Sequence, residues 1–226
     1  MNAMAAHNVE WIEDLLTERE LGLPQGTLRQ GRLDWQPAKG DFVTWGSGGG
    51  ATRCERQDVA DAVENIVAGC NPDRDVAFAR LHTAVQSLLG PVSCRTFFLL
   101  YNAVPSKLQN SACEEAVLIP PAEIPREPRA NESFVGIRRD GQLAAFACSL
   151  PQYEIDGYTF YWIGVQTDPA YRRQGLGRAC VLAMQKQMGS RSIPIWQCTA
   201  TNKPSIALAE SVGYTFLAST FAWASP

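Results

Sequence analysis

The sequence has few of the side chains on which metal binding and nucleophilic catalysis most often depend. Its 226 residues include two histidines, His7 and His82, and neither lies in a recognisable motif. The seven cysteines are widely spread, and no two of them have Cys-x-x-Cys spacing. We therefore expect reduced, mostly buried thiols, and we predict neither a metal site nor a Ser–His or Cys–His nucleophile.

Long apolar runs and a large net charge are also missing. No stretch of about 18 apolar residues occurs and there is no signal-peptide pattern, so we expect a soluble, cytoplasmic protein without a membrane partner. The net charge of -3 gives no support to a nucleic-acid partner. The length fits one large domain, or one catalytic domain with an extension.

The first 132 residues predict regular elements but carry no motif for chemistry. Their apolar periodicity indicates helices at 8–22, 58–68 and 73–89 and strands at 41–45 and 95–104. The glycine run at 46–50 lacks the Lys-Ser/Thr of a phosphate-binding P-loop, which favours a flexible loop. The proline-rich segment at 119–133 is interpreted as a linker or surface loop.

From Ser133 onward the pattern becomes regular. It begins with two strands joined by an Asp140-Gly141 turn, which is a strong hairpin signal. The later elements are a strand at 158–165, a helix at 175–188, a strand at 193–200, a helix at 204–212 and a closing strand. This β-β-β-α-β-α-β order predicts an α/β fold in which a mixed sheet has helices on its faces.

The most informative segment lies where a predicted strand leads into a predicted helix. Arg172, Arg173 and Gln174 precede two glycines, Gly175 and Gly177, at the start of that helix. Helices usually begin with Ser, Thr, Asp or Asn, whose side chains cap the free amides. Glycines leave the amides uncapped at the positive end of the helix dipole, where a pyrophosphate can bind beside the arginines. A glycine-containing turn with solvated arginines is the alternative.

A dinucleotide-binding turn matches this segment poorly. That fingerprint requires Gly-x-Gly-x-x-Gly, and Cys180 stands where the third glycine belongs. The strand at 193–200 also lacks the acidic residue that would bind a ribose.

The segment instead resembles a signature of the GNAT superfamily of acyl-CoA-dependent N-acetyltransferases. That signature is a strand, a Pro-x-Tyr-Arg turn and Q/R-x-x-G-x-G/A at a helix start, and the chain has Pro169, Tyr171 and 172–177 in this register. A second signature, an Asn before a helix that ends in Gly-aromatic, is matched by Asn202 and by 213–214. Two motifs in the right order are more specific than either alone.

The resemblance covers about residues 133–226 and implies the GNAT fold, a central, mostly antiparallel twisted sheet with helices on both faces. It implies an acetyltransferase domain over 51–226, because the family also needs a first strand and two helices upstream. Residues 1–50 are then an N-terminal extension.

The resemblance further implies how acetyl-CoA would be held as co-substrate. Main-chain groups of Val165, Gln166 and Thr167 would pair with the pantetheine arm as an added strand does. Asn202 would contact the arm or order the adjacent loop, and Ser205 would lie near the thiol. The pyrophosphate would bind to the turn formed by Arg172, Arg173, Gln174, Gly175, Leu176, Gly177 and Arg178.

In the family an amine attacks the thioester directly, without an acyl-enzyme. An alkyl amine with a pKa of ~10.4 is neutral in about one molecule in two thousand at pH 7, so a general base helps. Many relatives have a glutamate where this chain has Tyr161, and a tyrosine that protonates the leaving thiolate where it has Ala209. Gly164 is expected at a strand bulge that makes room for the thioester.

Because both family residues are replaced, other side chains become candidates for acid and base. The predicted catalytic residues are Tyr161, Glu154 and Ser205. Asp156, Glu132 and Tyr158 are further candidates for a base, an acid or a group that holds water.

We therefore predict an N-acetyltransferase that moves an acetyl or other acyl group from acetyl-CoA to a primary amine of a small molecule or peptide. The alternative is a GNAT-fold module that binds acyl-CoA and is catalytically weak or inactive, which the two missing residues favour. A third hypothesis is an interaction protein whose residues 1–130 recruit a partner. The acceptor is left open, as is a homodimer formed through the final strand.

Overall fold

The structure, a computed structural model, describes residues 3–31, 33–36, 41–46, 48–69, 74–103 and 116–224. Its helices are α1 Ala3–Arg19, α2 Gln57–Gly69, α3 Arg74–Leu89, α4 Leu176–Gln187 and α5 Lys203–Ser211. Its strands are β1 Leu33–Gln36, β2 Phe42–Trp45, β3 Gly50–Arg53, β4 Ser93–Tyr101, β5 Val117–Leu118, β6 Ser133–Arg139, β7 Gln142–Ile155, β8 Tyr158–Thr167, β9 Ser192–Thr199 and β10 Thr215–Ala224.

The chain divides into two compact units. The first unit consists of Met1–Leu99, Cys198–Asn202 and Phe216–Pro226. The second unit consists of Leu100–Gln197 and Lys203–Thr215.

In the first unit, strands from both ends of the chain form a mixed sheet. β1 pairs with β3 in parallel, β3 pairs with β2 in antiparallel orientation, and β2 pairs with β10 in the same way. Aromatic rings fill the core, where Phe78 on α3 lies 5.5 Å from Trp45 and 6.4 Å from Phe221 between ring centroids. The first unit is therefore built around a hydrophobic core of its own.

The second unit has the strand order β9-β8-β7-β6-β5. β8 and β9 are parallel, and the other neighbouring pairs are antiparallel. Both hairpins turn on Asp-Gly, with positive φ angles at Asp140, Gly141, Asp156 and Gly157, as two-residue type I′ turns require. α4 packs against β6, β7 and β8, which fixes its N-terminus beside the end of β8.

The structure confirms the predicted α/β class and the order of elements after residue 133. The three N-terminal helices are present, with bounds that differ by a few residues from those predicted. The loop expected at 46–50 is shorter, because Gly50 begins β3, and the loop expected at 119–133 contains a short 3-10 turn at Pro121–Glu123. The domain boundary expected at residue 50 stays a prediction.

The cysteines that the structure describes are free thiols, as expected from the sequence. Cys54, Cys148 and Cys180 are buried free thiols, and Cys94 and Cys198 are partly exposed free thiols. The other two cysteines, at positions 70 and 113, lie outside the described residues.

In the described part of the chain, no helix combines the length and the apolar character that a membrane crossing needs.

Candidate functional site

Strands β8 and β9 run side by side and then part. Their pairing joins Thr159–Trp162 to Ser192–Ile195, whereas β8 continues to Thr167. In a strand, alternate residues direct their N–H and C=O groups to opposite edges. Beyond Trp162, the edge of β8 that faces away from β7 therefore presents main-chain groups that an extended, amide-rich ligand can pair with.

The turn after β8 leads directly into α4. Asp168 accepts a hydrogen bond from the Ala170 amide at 2.8 Å and so starts a 3-10 turn at Pro169–Tyr171. Arg173 and Gly175 then adopt left-handed backbone conformations, with φ of 61° and 78°. A non-glycine residue at positive φ is uncommon and marks a backbone whose shape is imposed by its surroundings.

The start of α4 has uncapped amides. Gly175 is the N-cap residue and has no side chain to accept from the first turn. Within the described ranges, no acceptor is found for the amides of residues 173–178. These donors lie at the positive end of the helix dipole, where phosphate groups bind readily.

The surroundings of the two glycines in this turn differ, so each position favours glycine for a different physical reason. A Cβ on Gly175 would have no atom within 4 Å, so the space above this residue is open. A Cβ on Gly177 would lie 2.9 Å from Oγ1 of Thr167 and 3.5 Å from Cγ2 of Val165. Gly177 therefore lets α4 approach the end of β8, and Gly175 leaves room for a ligand at the helix start.

The three arginines near this space differ in their exposure to solvent. Arg172 and Arg173 are exposed, and Arg178 is half-buried in the first turn of α4. The Arg172 Nε donates to the Thr167 carbonyl at 3.4 Å, which directs that side chain back toward the strand end. All three lie within a few residues of the free amides and raise the positive potential there.

The residues of the second motif lie around α5. Asn202 belongs to the first unit and its amide donates to the Thr199 carbonyl at 3.0 Å. Ser205, in the first turn of α5, accepts a hydrogen bond from the Trp196 indole Nε1 at 3.0 Å. Trp196 directly follows the last residue of β9 that pairs with β8, so Ser205 is held near the point where the strands part.

The predicted acid and base candidates occupy different environments. Tyr161 is half-buried on β8, opposite Pro151, and Glu154 is exposed on β7, opposite Thr159. Strand alternation places Tyr161 and Glu154 on the same face of the sheet. Ala209, at the position of the family tyrosine, is fully buried, so its side chain is part of the core. The catalytic roles of Tyr161, Glu154 and Ser205 stay predictions.

Glu132 lies in a partly buried cluster with Arg126 and Cys148, which the sequence pattern did not indicate. Its side chain is 4% exposed and pairs with the Arg126 guanidinium, with one contact of 2.9 Å between Nη1 and Oε2. Burial raises the pKa of this carboxyl, but the bonds from Arg126 and from the Arg129 amide outweigh burial and lower the pKa to about 2. So acidic a carboxyl is a poor general base at neutral pH.

Cys148 completes this cluster and explains the glycine at position 164. Burial and the neighbouring Glu132 raise the pKa of the Cys148 thiol to about 11, so the thiol stays protonated. A Cβ on Gly164 would lie 2.8 Å from the Cys148 sulfur. The pairing of these two residues is regular, and the register shift lies on β7 between Pro151 and Tyr153. Gly164 thus makes room for the sulfur, whereas a bulge was expected there.

Comparison with known proteins gives one family. Residues 104–214 match the family model described as Acetyltransferase (GNAT) family. An Escherichia coli K12 protein named [Ribosomal protein bS18]-alanine N-acetyltransferase is 38% identical over 80 residues, which are 34% of this chain and 51% of that protein. The chain thus spans about half the length of the curated relatives it matches.

Two solved structures illustrate the structural comparison. A GCN5-related N-acetyltransferase from Kribbella flavida has a TM-score of 0.45 and 16% identity, with 100% of this chain and 96% of that chain covered. A GNAT-family acetyltransferase from Colwellia psychrerythraea has a TM-score of 0.47 and 10% identity, with 95% and 71% covered.

Proposed function

Because the chain belongs to the acetyltransferase (GNAT) family through residues 104–214, we propose that it transfers an acetyl group from acetyl-CoA to an amine. The uncapped start of α4 supports this proposal most directly, since its free amides and neighbouring arginines suit a pyrophosphate. The open edge of β8 beyond Trp162 suits the amide-rich pantetheine arm.

The reaction we propose is a direct transfer. The amine nitrogen attacks the thioester carbonyl, the carbon–sulfur bond breaks, and the CoA thiolate leaves. The amine loses one proton and the thiolate gains one, so the products are an amide and free CoA. Ser205, whose oxygen is held by the Trp196 indole, is our candidate for the group that protonates the thiolate.

We propose that the acceptor is an α-amino group, such as a peptide N-terminus. With a pKa of ~7.8, about one α-amino group in seven is neutral at pH 7, against about one lysine side chain in two thousand. An α-amine therefore needs little help from a base, which suits a site where Tyr161 replaces a glutamate and Glu132 is held ionised. The E. coli relative is named for an alanine of a ribosomal protein, which makes an N-terminal alanine peptide the first acceptor to test.

The test compares two peptides with acetyl-CoA at neutral pH. One has a free N-terminal alanine and no lysine, and the other has a blocked N-terminus and one lysine. We expect acetylation of the first peptide, detected by mass spectrometry, with free CoA released in equal amount. Acetylation of the lysine peptide alone would contradict the proposed acceptor.

Variants separate the two catalytic candidates. Ser205→Ala is expected to lower kcat about tenfold or more with little change in the KM for acetyl-CoA, because a proton donor acts in the transition state. Tyr161→Phe tests the hydroxyl on the same face as Glu154, and loss of kcat with retained binding would assign it a role in proton transfer. An unchanged kcat in Ser205→Ala would remove Ser205 from the mechanism.

The second candidate function is an acyl-CoA-binding module without transfer activity. The fully buried Ala209 favours it, because no tyrosine is present at that position to protonate the thiolate. Acetyl-CoA binding without acetylation of any amine would establish this alternative.

A further inference from the structure

Trp196 of β9 contacts the segment around α5 at both of its ends. The indole Nε1 donates to Ser205 Oγ at 3.0 Å, in the first turn of the helix. The indole ring packs edge-on against Tyr214, just beyond the helix end, with 5.3 Å between the ring centroids. The Tyr214 amide in turn donates to the Ala209 carbonyl at 3.1 Å. Trp196 is 2% exposed, so α5 is held at two points against a buried side chain of β9.

The helix α5 lies beside the open edge of β8. A Cβ on Gly177 would lie 3.5 Å from Val165 of β8 and 3.7 Å from Cδ2 of Leu208. Leu208 is therefore next to the strand end where we place the pantetheine arm. Ser205 precedes Leu208 by three residues, which places both side chains on the same face of the helix. The Ser205 hydroxyl thus lies about one helical turn from this contact, on the helix face that borders β8.

The hydrogen bond between Trp196 and Ser205 has one possible direction. An indole N–H donates and cannot accept, so the Ser205 oxygen is the acceptor and its hydrogen points away from the indole. A hydroxyl that accepts one hydrogen bond becomes a stronger donor in the next, because linked hydrogen bonds polarise one another. Trp196 therefore acts on both the orientation and the donor strength of the Ser205 hydroxyl.

We propose that Trp196 is a positioning residue for acyl transfer, which holds the Ser205 hydroxyl so that its hydrogen is directed at the sulfur of the leaving CoA. This inference rests on the proposed function and adds a residue to it. As the carbon–sulfur bond breaks, Ser205 gives its proton to the sulfur and regains one from solvent, to which the attacking amine has lost one. Trp196 neither gains nor loses a proton.

The thiol pKa of bound CoA tests this placement without the transfer reaction. Ultraviolet absorbance of the thiolate, followed as the pH rises, gives this pKa, with the protein bound to desulfo-CoA as the blank. A free alkyl thiol such as that of cysteine has a pKa of ~8.5. Because a hydrogen bond to the thiolate favours the charged form, we expect a lower pKa in the wild type than in Ser205→Ala. Trp196→Phe keeps an aromatic ring without the N–H and should raise the pKa as Ser205→Ala does.

Trp223→Phe is the matched control. Trp223 is also a buried tryptophan on a strand, and its Nε1 has no hydrogen-bond acceptor among the described residues. The same atoms are removed in this variant, and the pKa of the bound thiol should keep its wild-type value. A wild-type value in Trp196→Phe would overturn the inference, as would equal values in the wild type and Ser205→Ala.

Transfer kinetics provide the second readout. Trp196→Phe and Ser205→Ala should each lower kcat about tenfold or more, and the double variant should be no slower than Ser205→Ala, because both changes remove one function. Additive losses would overturn the inference, since Trp196 would then act independently of Ser205. Failure of the wild type to bind CoA would refute the proposed function and the inference together, whereas transfer with an unshifted thiol pKa would overturn the inference alone.

Discussion

The chain has two clusters of glycines after strands, and the space around their members differs. In the second unit, Gly175 leaves open space above free amides near arginines. In the first unit, a Cβ on Gly46 would lie 2.9 Å from the Leu217 carbonyl oxygen, and one on Gly50 would lie 2.2 Å from that of Thr44. Glycine is thus needed for close packing at Gly46 and Gly50, as it is at Gly177, whereas Gly175 leaves open space at the helix start.

Two carboxylates, one in each unit, differ in the hydrogen-bond donors around them. Glu132 in the second unit has an arginine and a backbone amide as donors, whereas Glu64 in the first unit has a buried oxygen without a donor in the described structure. Removing a paired, buried carboxylate leaves its partner charge uncompensated, whereas a buried oxygen without a donor is itself unfavourable. The same residue type thus has a lowered pKa at Glu132 and a raised pKa at Glu64, because its neighbours differ.

The largest expected effect tests the packing role of the first glycine cluster. Gly50→Ala should lower the free energy of unfolding by about 3 kcal/mol or more, because the new Cβ collides with main-chain atoms of β2. Gly31→Ala is the control, since Gly31 has a φ of 78° and no atom within 4 Å of a Cβ, and should cost only about 1 kcal/mol. Urea unfolding measures both, and equal losses would refute the packing role.

The next effect concerns the paired carboxylate. Glu132→Gln should lower the free energy of unfolding at pH 7 by about 2 kcal/mol, because Arg126 loses its buried partner. The folded pKa of about 2 lies below the usual 4.5, so the stabilisation is present above pH 4.5 and disappears as the pH falls toward 2. The difference between wild type and variant should shrink over this range in acid, and a constant difference would contradict the assigned pKa.

The smallest effect concerns the unpaired carboxylate and has the opposite sign. Glu64→Gln should raise the free energy of unfolding at pH 7 slightly, by less than about 1 kcal/mol, because the wild type must keep a charge in a half-buried, acidic setting. A raised folded pKa means that stability falls as the pH rises through it, so the variant's advantage should vanish below the ordinary pKa of 4.5. A destabilised variant in thermal unfolding at pH 7 would show that Glu64 has a donor in solution.

Local sequence predicted the local features of the fold. The Asp140-Gly141 hairpin and the end of α5 at Gly213, which has a φ of 89°, follow from backbone preferences of a few residues. The uncapped start of α4 was predicted for the same reason.

Contacts between distant residues were beyond such patterns. The match of Gly164 to the Cys148 sulfur and the pairing of Arg126 with Glu132 depend on how strands align. The pairing of β2 with β10 joins residues about 175 positions apart, and no periodicity carries that information. The buried Oε1 of Glu64, which has no donor among the described residues, could not be predicted from sequence because its burial depends on the surrounding elements.

One measurement tests the central claim, that the open amides before α4 hold acetyl-CoA. Calorimetry would compare acetyl-CoA binding by the wild type, Gly175→Asp and Gly141→Asp. Both glycines have a φ of 78° and no atom within 4 Å of a Cβ, so the two variants share the same backbone strain and added charge. We predict that Gly175→Asp weakens binding at least a hundredfold, about 2.7 kcal/mol, while Gly141→Asp binds like the wild type. Equal binding by both variants would contradict the claim.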